Sequence, residues 1–162
     1  MSEPVWRFKV PVRLSYTIRS GEAAGGFLRH IKEGRLVGRR CSETKKVYLP
    51  PRGPSPVTGN LMEEEVEVED VGTVTTFCVV NVPFEGQALK IPYVGAAILL
   101  DGADLALFHL VGGCEASEVR MGMRVRAVWR PRSEWGFTTE NIRYFEPSGE
   151  PDVSPDDLLE YL

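Results

Sequence analysis

Two histidines, a run of carboxylates, a cysteine among hydroxyls and two arginine stripes are the groups whose types could support chemistry in this sequence. His30 falls on the polar side of a segment with helical spacing. His109 lies in Leu-Ala-Leu-Phe-His-Leu-Val, where Leu105, Leu107, His109 and Val111 share one strand face. That setting describes a partly buried structural imidazole better than a general base. The run Glu63-Glu64-Glu65-x-Glu67-x-Glu69-Asp70 has the look of a solvated strand face and not of an acid/base pair. No Gly-x-Ser-x-Gly elbow, P-loop or dinucleotide fingerprint occurs. These groups do not assemble a catalytic set, and a non-catalytic protein is expected.

The arginines are more informative. Arg29, Lys32, Arg35, Arg39, Arg40, Lys45, Lys46 and Arg52 face only Glu33 and Glu43 over the same stretch. A second stripe comprises Arg120, Arg124, Arg126, Arg130 and Arg132, with Arg124, Arg126 and Arg130 on one strand face and Val125, Ala127 and Trp129 on the core side. Guanidinium groups in such stripes suit phosphate. The alternative is that they neutralise the acidic blocks Glu63 to Asp70 and Glu146 to Glu160. Both readings stay open at this point.

Cys41, Thr44, Ser55 and Thr58 stand at the spacing of two close ligand pairs. Tetrahedral zinc needs four soft donors, and hydroxyls are poor ones at neutral pH, so no zinc is expected here.

The elements that must position these groups follow from periodicity. In residues 1–20, Val10, Val12, Leu14 and Tyr16 alternate with Lys9, Pro11, Arg13 and Ser15, predicting an extended arm that lies on this chain or on a partner. A helix is predicted from about Glu22 to Glu33, capped by Ser20 and stopped by Gly34, with Phe27, Leu28 and Ile31 as its apolar stripe. Pro50, Pro51, Pro54 and Pro56 exclude regular structure in the segment that follows. From Met62 onward, six β-branched, period-two runs separated by turn signals predict short antiparallel strands. The fold class is mainly β: a five-stranded Greek-key OB-fold barrel, preceded by a short helix and a loop-built module. The expected organisation is an arm and helix over 1–33, the module over 34–61, the barrel over 62–147 and an acidic tail over 148–162. Ser154 is expected to cap one helical turn in that tail.

Composition sets the outer bounds. The 162 residues carry a net charge of −4, 43% hydrophobic and 26% charged residues, which describes a globular protein without the basic bias of a nucleic-acid binder. Three scattered cysteines argue against a disulfide framework. No h-region opens the sequence, and no apolar run is long enough to span a bilayer. A cytoplasmic protein without membrane association is expected.

With these pieces in order, the sequence resembles the DUF35 family, OB-fold proteins with an N-terminal rubredoxin-like zinc ribbon. The resemblance covers about Gly21 to Phe145 and rests on FLRHIKEGRLVGRRC, KKVYLPPRGPSPVTG, GTVTTFCVVNVPF, IPYVGAAILLDGAD and VRMGMRVRAVW. Family members commonly carry Cys-x-x-Cys twice, where this sequence has Cys41, Thr44, Ser55 and Thr58, while Pro50, Pro51 and Arg52 are retained. The resemblance thus implies a degenerate ribbon held by packing of Val47, Tyr48 and Leu49 or by a partner surface. It further implies an accessory subunit of a thiolase-like enzyme, such as a sterol-carrier-type thiolase or an aldolase of steroid side-chain degradation, or of a hot-dog hydratase. Such a hetero-oligomer would act in lipid metabolism, with no tightly bound cofactor in this chain and acyl-CoA as a candidate ligand. On that view CoA phosphates would meet Arg39, Arg40 and Arg52, or Arg124 and Arg126, and Tyr93 would stack on adenine or line the acyl channel. Tyr48, Trp135 and Phe137 are the expected partner-interface residues. Two other readings are a stand-alone acyl-CoA-binding protein and a single-stranded nucleic-acid binder using Phe77 and Tyr93 as stacking platforms. The acidic strand and tail oppose the second of these.

Overall fold

A computed structural model describes residue 5 and residues 8–161. Residues 1–4, 6 and 7 of the expected arm and residue 162 of the tail lie outside the described residues.

Helix α1 spans Gly21–Lys32 and buries Ala23, Phe27 and Ile31, the i, i+4, i+8 stripe that one helical face requires. Its start differs from expectation. Ser20 adopts a helical conformation (φ −65°, ψ −17°) instead of the extended one a capping side chain needs, and its hydroxyl caps nothing. The end behaves as predicted: Gly34 takes φ +83° and donates to the Ile31 carbonyl, while Arg35 donates to His30.

The chain next forms β1 (Leu36–Arg40), β2 (Val47–Tyr48) and, after the proline loop, β3 (Glu64–Val68), an antiparallel sheet in the order β2-β1-β3. The acidic strand expected in the barrel is β3, and it pairs with β1 in the preceding module instead, Gly38 opposite Val66. Period-two spacing tells which face a residue takes and nothing about which strand lies beside it.

Strands β4 (Val71–Val80), β5 (Tyr93–Leu100), β6 (Leu107–Val111), β7 (Arg124–Trp129) and β8 (Ile142–Pro147) close a barrel in the order β4-β5-β6-β8-β7. All pairings are antiparallel except β6 with β8, where Val111 faces Phe145. This is the five-stranded Greek-key barrel that the sequence predicts. A bulge at Thr75 lets Val74 and Thr75 both turn inward, and the Thr75 hydroxyl donates to the Ala97 carbonyl at 3.1 Å. Val74, Ala96, Ile98, Val125 and Phe145 fill the interior. The same core takes in Phe27 and Ile31 of α1, Leu36 of β1 and Val47 of β2.

Asn141 locks helix to barrel. Fully buried, it donates to the carbonyls of Ile31 (3.0 Å) and Gly136 (2.8 Å) and accepts from the Gly136 N–H (2.9 Å). The tail ends in a 3-10 helix, Pro155–Tyr161, whose Asp156 N–H donates to the Ser154 hydroxyl, the expected cap.

Candidate functional site

Two concavities are candidates for binding. The first, about 470 Å³, lies where α1 begins beside β1 and the proline loop, and includes Ser20, Glu22, Arg39, Arg52, Met62 and Glu63. The proline pair preceding Arg52 stiffens the loop that presents it. Arg39 donates to the Met62 carbonyl at 3.1 Å and sits 3.6 Å from the Glu22 carboxylate. Two guanidinium groups and two carboxylates share this space, so a phosphate would have to displace Glu22 from Arg39.

The second concavity, about 460 Å³, lies on the barrel and is lined by Leu89, Phe108, Leu110, Arg130, Ile142 and Arg143. Its lining includes exposed apolar side chains: Phe108 is 68% exposed and Leu89 42%, and Phe84, in the same β4–β5 connection as Leu89, is 62% exposed. None of these three residues was anticipated as a site residue. The signal was present in Ala106, Phe108 and Leu110, which alternate with Leu107, His109 and Val111, so that both faces of one strand are largely apolar.

The expected CoA contacts are not brought together. Only Arg39 and Arg52 line a common cavity. Arg40 faces Glu64 at 3.1 Å, without hydrogen-bond geometry at its Nε. Arg124 donates to Asp101 through both terminal nitrogens, to Glu150 through Nε and to Thr73, and these carboxylates raise its pKa further. Arg126 holds Glu146 at 2.9 Å. Tyr93 opens β5 opposite Val80, half-exposed and away from both concavities. Elsewhere in the two stripes, Arg120 pairs with Asp152, Arg35 with Glu67 and Lys46 with Glu160, and outside them His30 lies beside Glu65. Among the described residues the acidic blocks therefore pair with six of the thirteen cations in the two stripes, so the neutralising alternative left open above holds for about half of them.

The expected interface residues divide three ways. Tyr48 is only 6% exposed and packs with Cys41 and Met62, so it is a core residue of the module and offers no face to a partner. Trp135 folds back: its ring lies tilted against Trp129 with centroids 5.3 Å apart, its indole N–H donates to the Arg130 carbonyl at 2.8 Å, and it covers Gly34. Phe137 remains 59% exposed, with the Lys32 ammonium 4.3 Å from its ring centre.

The ribbon-like positions do converge. Cys41, buried to 1% exposure, receives hydrogen bonds from the hydroxyls of Ser55 and Thr44 and the N–H groups of Thr44 and Glu43, which bring its thiol down to about 6 against the opposing effect of burial. Thr58 Oγ1 lies 3.9 Å from the sulfur. Hydroxyls and N–H groups thus surround the sulfur where a zinc site needs three further soft donors. This donor set does not fit zinc, and no group of three or more His, Cys, Asp or Glu suited to a metal occurs among the described residues.

His109 sits edge-on to Phe145 at 5.6 Å, with Nδ1 accepting from the Leu110 N–H. Desolvation holds its pKa below the usual imidazole range. It is a partly buried neutral ring, as its strand face predicts. Among the described residues, no helix is long and apolar enough to cross a membrane.

With this geometry in view, the chain can be compared with known proteins. Residues 65–130 match the family described as the C-terminal OB-fold domain of ChsH2. A DUF35 domain-containing scaffold protein of Methanocaldococcus jannaschii is 39% identical over 113 residues, covering 67% of this chain and 77% of that protein. A solved structure described as an Ltp2-ChsH2(DUF35) aldolase superposes with a TM-score of 0.62 at 25% identity, over 79% of this chain and 96% of that one. A DUF35-family protein of unknown function from Sulfolobus solfataricus shares the fold, with a TM-score of 0.58 at 19% identity over 78% and 84% of the two chains.

Proposed function

This chain belongs to the DUF35 family of OB-fold proteins, and from that premise we propose that it is a non-catalytic accessory subunit that docks on a thiolase-like or aldolase enzyme. The observation that carries the reading is the likeness to a chain, covered over 96% of its length, of a structure described as an Ltp2-ChsH2(DUF35) aldolase. The surface is consistent with docking. Leu89 and Phe108 form an apolar face on the barrel that a stable solitary protein has reason to cover, and Phe84 is exposed in the same β4–β5 connection as Leu89. Phe108, which lines that concavity, is the natural hot spot, because a large aromatic in a largely apolar concavity gains most from desolvation. Phe137 is a second exposed aromatic, outside that concavity.

Acyl-CoA contact belongs to the same proposal and is located at the cavity of Arg39 and Arg52. Since Glu22 and Glu63 share that cavity, this chain alone has little net charge to hold a phosphate there. A partner subunit that draws Glu22 away, or adds a cation, would complete the site. Arg124 and Arg126 contribute to stability in this scheme and not to ligand binding.

The test is affinity purification of the tagged chain from its native host, followed by reconstitution of the captured enzyme with wild-type chain and with Phe108→Asp. A thiolase-fold enzyme recovered in near-equal amount, with binding weakened at least tenfold by Phe108→Asp, is the expected result. Recovery of the chain alone would overturn the subunit reading. Calorimetric titration with acyl-CoA should give binding only when the partner enzyme is present.

A further inference from the structure

Strand β3 forms the free edge of the three-stranded sheet: its register is entirely with β1, and among the described residues no other backbone partner is found for 64–67. Open edges invite pairing with any extended segment, and a common safeguard is charge. Here Glu63, Glu64, Glu65 and Glu67 are all exposed along the edge. That edge resists a neutral or acidic strand and favours a basic one.

The same chain carries such a strand. Phe8, Val10, Val12, Leu14, Tyr16 and Ile18 are 66–84% exposed, in strict alternation with Lys9, Pro11, Arg13, Ser15, Thr17 and Arg19. One face of this arm is therefore apolar and the other polar, with three cations and no carboxylate among residues 8–20. Strand β3 has the complementary division. Glu65 and Glu67 pair with His30 and Arg35, so their side chains lie on the sheet face nearest α1, and Val66 and Val68 take the other. An arm seated antiparallel beside β3 can place Arg13 beside Glu65 and Glu67 while Val12 and Leu14 continue the valine face. A slip of one residue would invert both matches.

We propose that the arm of one copy adds as a strand to the β3 edge of a second copy, reciprocally, giving a two-fold dimer with two four-stranded sheets. The occupant is a second copy because residues 8–20 are exposed along their whole length and so are not seated on their own body. Twelve extended residues reach roughly 40 Å at 3.3 Å each, enough to cross to a neighbouring molecule. Two-fold exchange satisfies both edges at once. The dimer does not depend on the identity of any partner enzyme.

Light scattering and sedimentation of the full chain, a chain lacking residues 1–19, and the exposed-arm variant Lys9→Glu/Arg13→Glu/Arg19→Glu test this. A dimer is expected for the wild type, a monomer for the truncation, and at least tenfold weaker dimerisation for the charge-reversed variant, with circular dichroism showing all three folded. Hydrogen exchange should show the alternate arm amides between residues 10 and 18 that face β3 protected only in the dimer. A wild-type monomer at 100 μM, a dimer that survives loss of the arm or of its charges, or arm amides protected in the monomer would each overturn the proposal. So would an arm needed only for enzyme capture.

Discussion

Arg124 and Asp101 face each other fork to fork, with guanidinium nitrogens 2.7 and 2.6 Å from the two carboxylate oxygens. The arginine side chain is only 13% exposed, and Glu150 and Thr73 each accept a further hydrogen bond from it. Asp101 follows β5, Thr73 is in β4 and Arg124 opens β7, so one side chain ties three strands at one end of the barrel.

Arg124→Ala should therefore lower stability by about 1–3 kcal/mol, in the range of losing hydrogen bonds to a charged group that is partly screened by solvent. It should leave acyl-CoA binding by the complex unchanged. Urea denaturation and calorimetry read the two effects separately. A stable variant with lost ligand binding would return Arg124 to the ligand site.

Trp135 and Phe137, two residues apart, should behave differently. A Cβ on Gly34 would come within 2.7 Å of the Trp135 ring, and Gly34 also holds φ +83°, so Gly34→Ala should cost about 1–3 kcal/mol. Trp135→Ala should cost about 2–4 kcal/mol by opening the contact with Trp129. Phe137→Ala should change the melting temperature little and instead weaken enzyme capture. Thermal melts and binding of the reconstituted enzyme decide it, and a melt loss at Phe137 as large as at Trp135 would contradict the division.

These cases mark what the sequence made legible. The barrel strands were visible because a half-buried strand must alternate, as Val125 and Ala127 do against Arg124 and Arg126. The 3.6-residue period similarly exposed α1. Contacts set by distant pairing were not visible. That Trp135 covers Gly34, or that Arg124 meets Asp101 and Arg35 meets Glu67, depends on strand order and register, which alternation does not encode. For the same reason the acidic strand was attributed to the barrel although it pairs with β1. The arginine stripes are legible as runs in the sequence, but whether each guanidinium meets a carboxylate or faces solvent is set by strand order and register.

The surroundings of Cys41 predict purified protein with less than about 0.1 zinc per chain, since serine and threonine hydroxyls do not replace thiolates at neutral pH. Chelators should not shift the melting temperature. Elemental analysis checks this directly, and one zinc per chain would mean that ligands other than these four are recruited.

The Cys41 thiol also predicts a pH dependence. In the unfolded chain it titrates near 9, and in the fold the hydroxyls of Ser55 and Thr44 bring it down to about 6. A group with a depressed folded pKa stabilises fully above the unfolded value, and its contribution falls as pH drops towards the folded value. Below about pH 6 both states carry the thiol and nothing remains of the effect. Cys41→Ser keeps a hydrogen-bonding side chain that does not ionise. The stability gap between wild type and Cys41→Ser should therefore widen in favour of the wild type from pH 6 to pH 9. Cys78 and Cys114 are present in both proteins, so their own titrations cancel in the difference. Urea melts at half-unit intervals measure the gap. A constant gap would mean that the buried sulfur stays protonated and that the hydroxyls around it accept its proton instead of donating theirs.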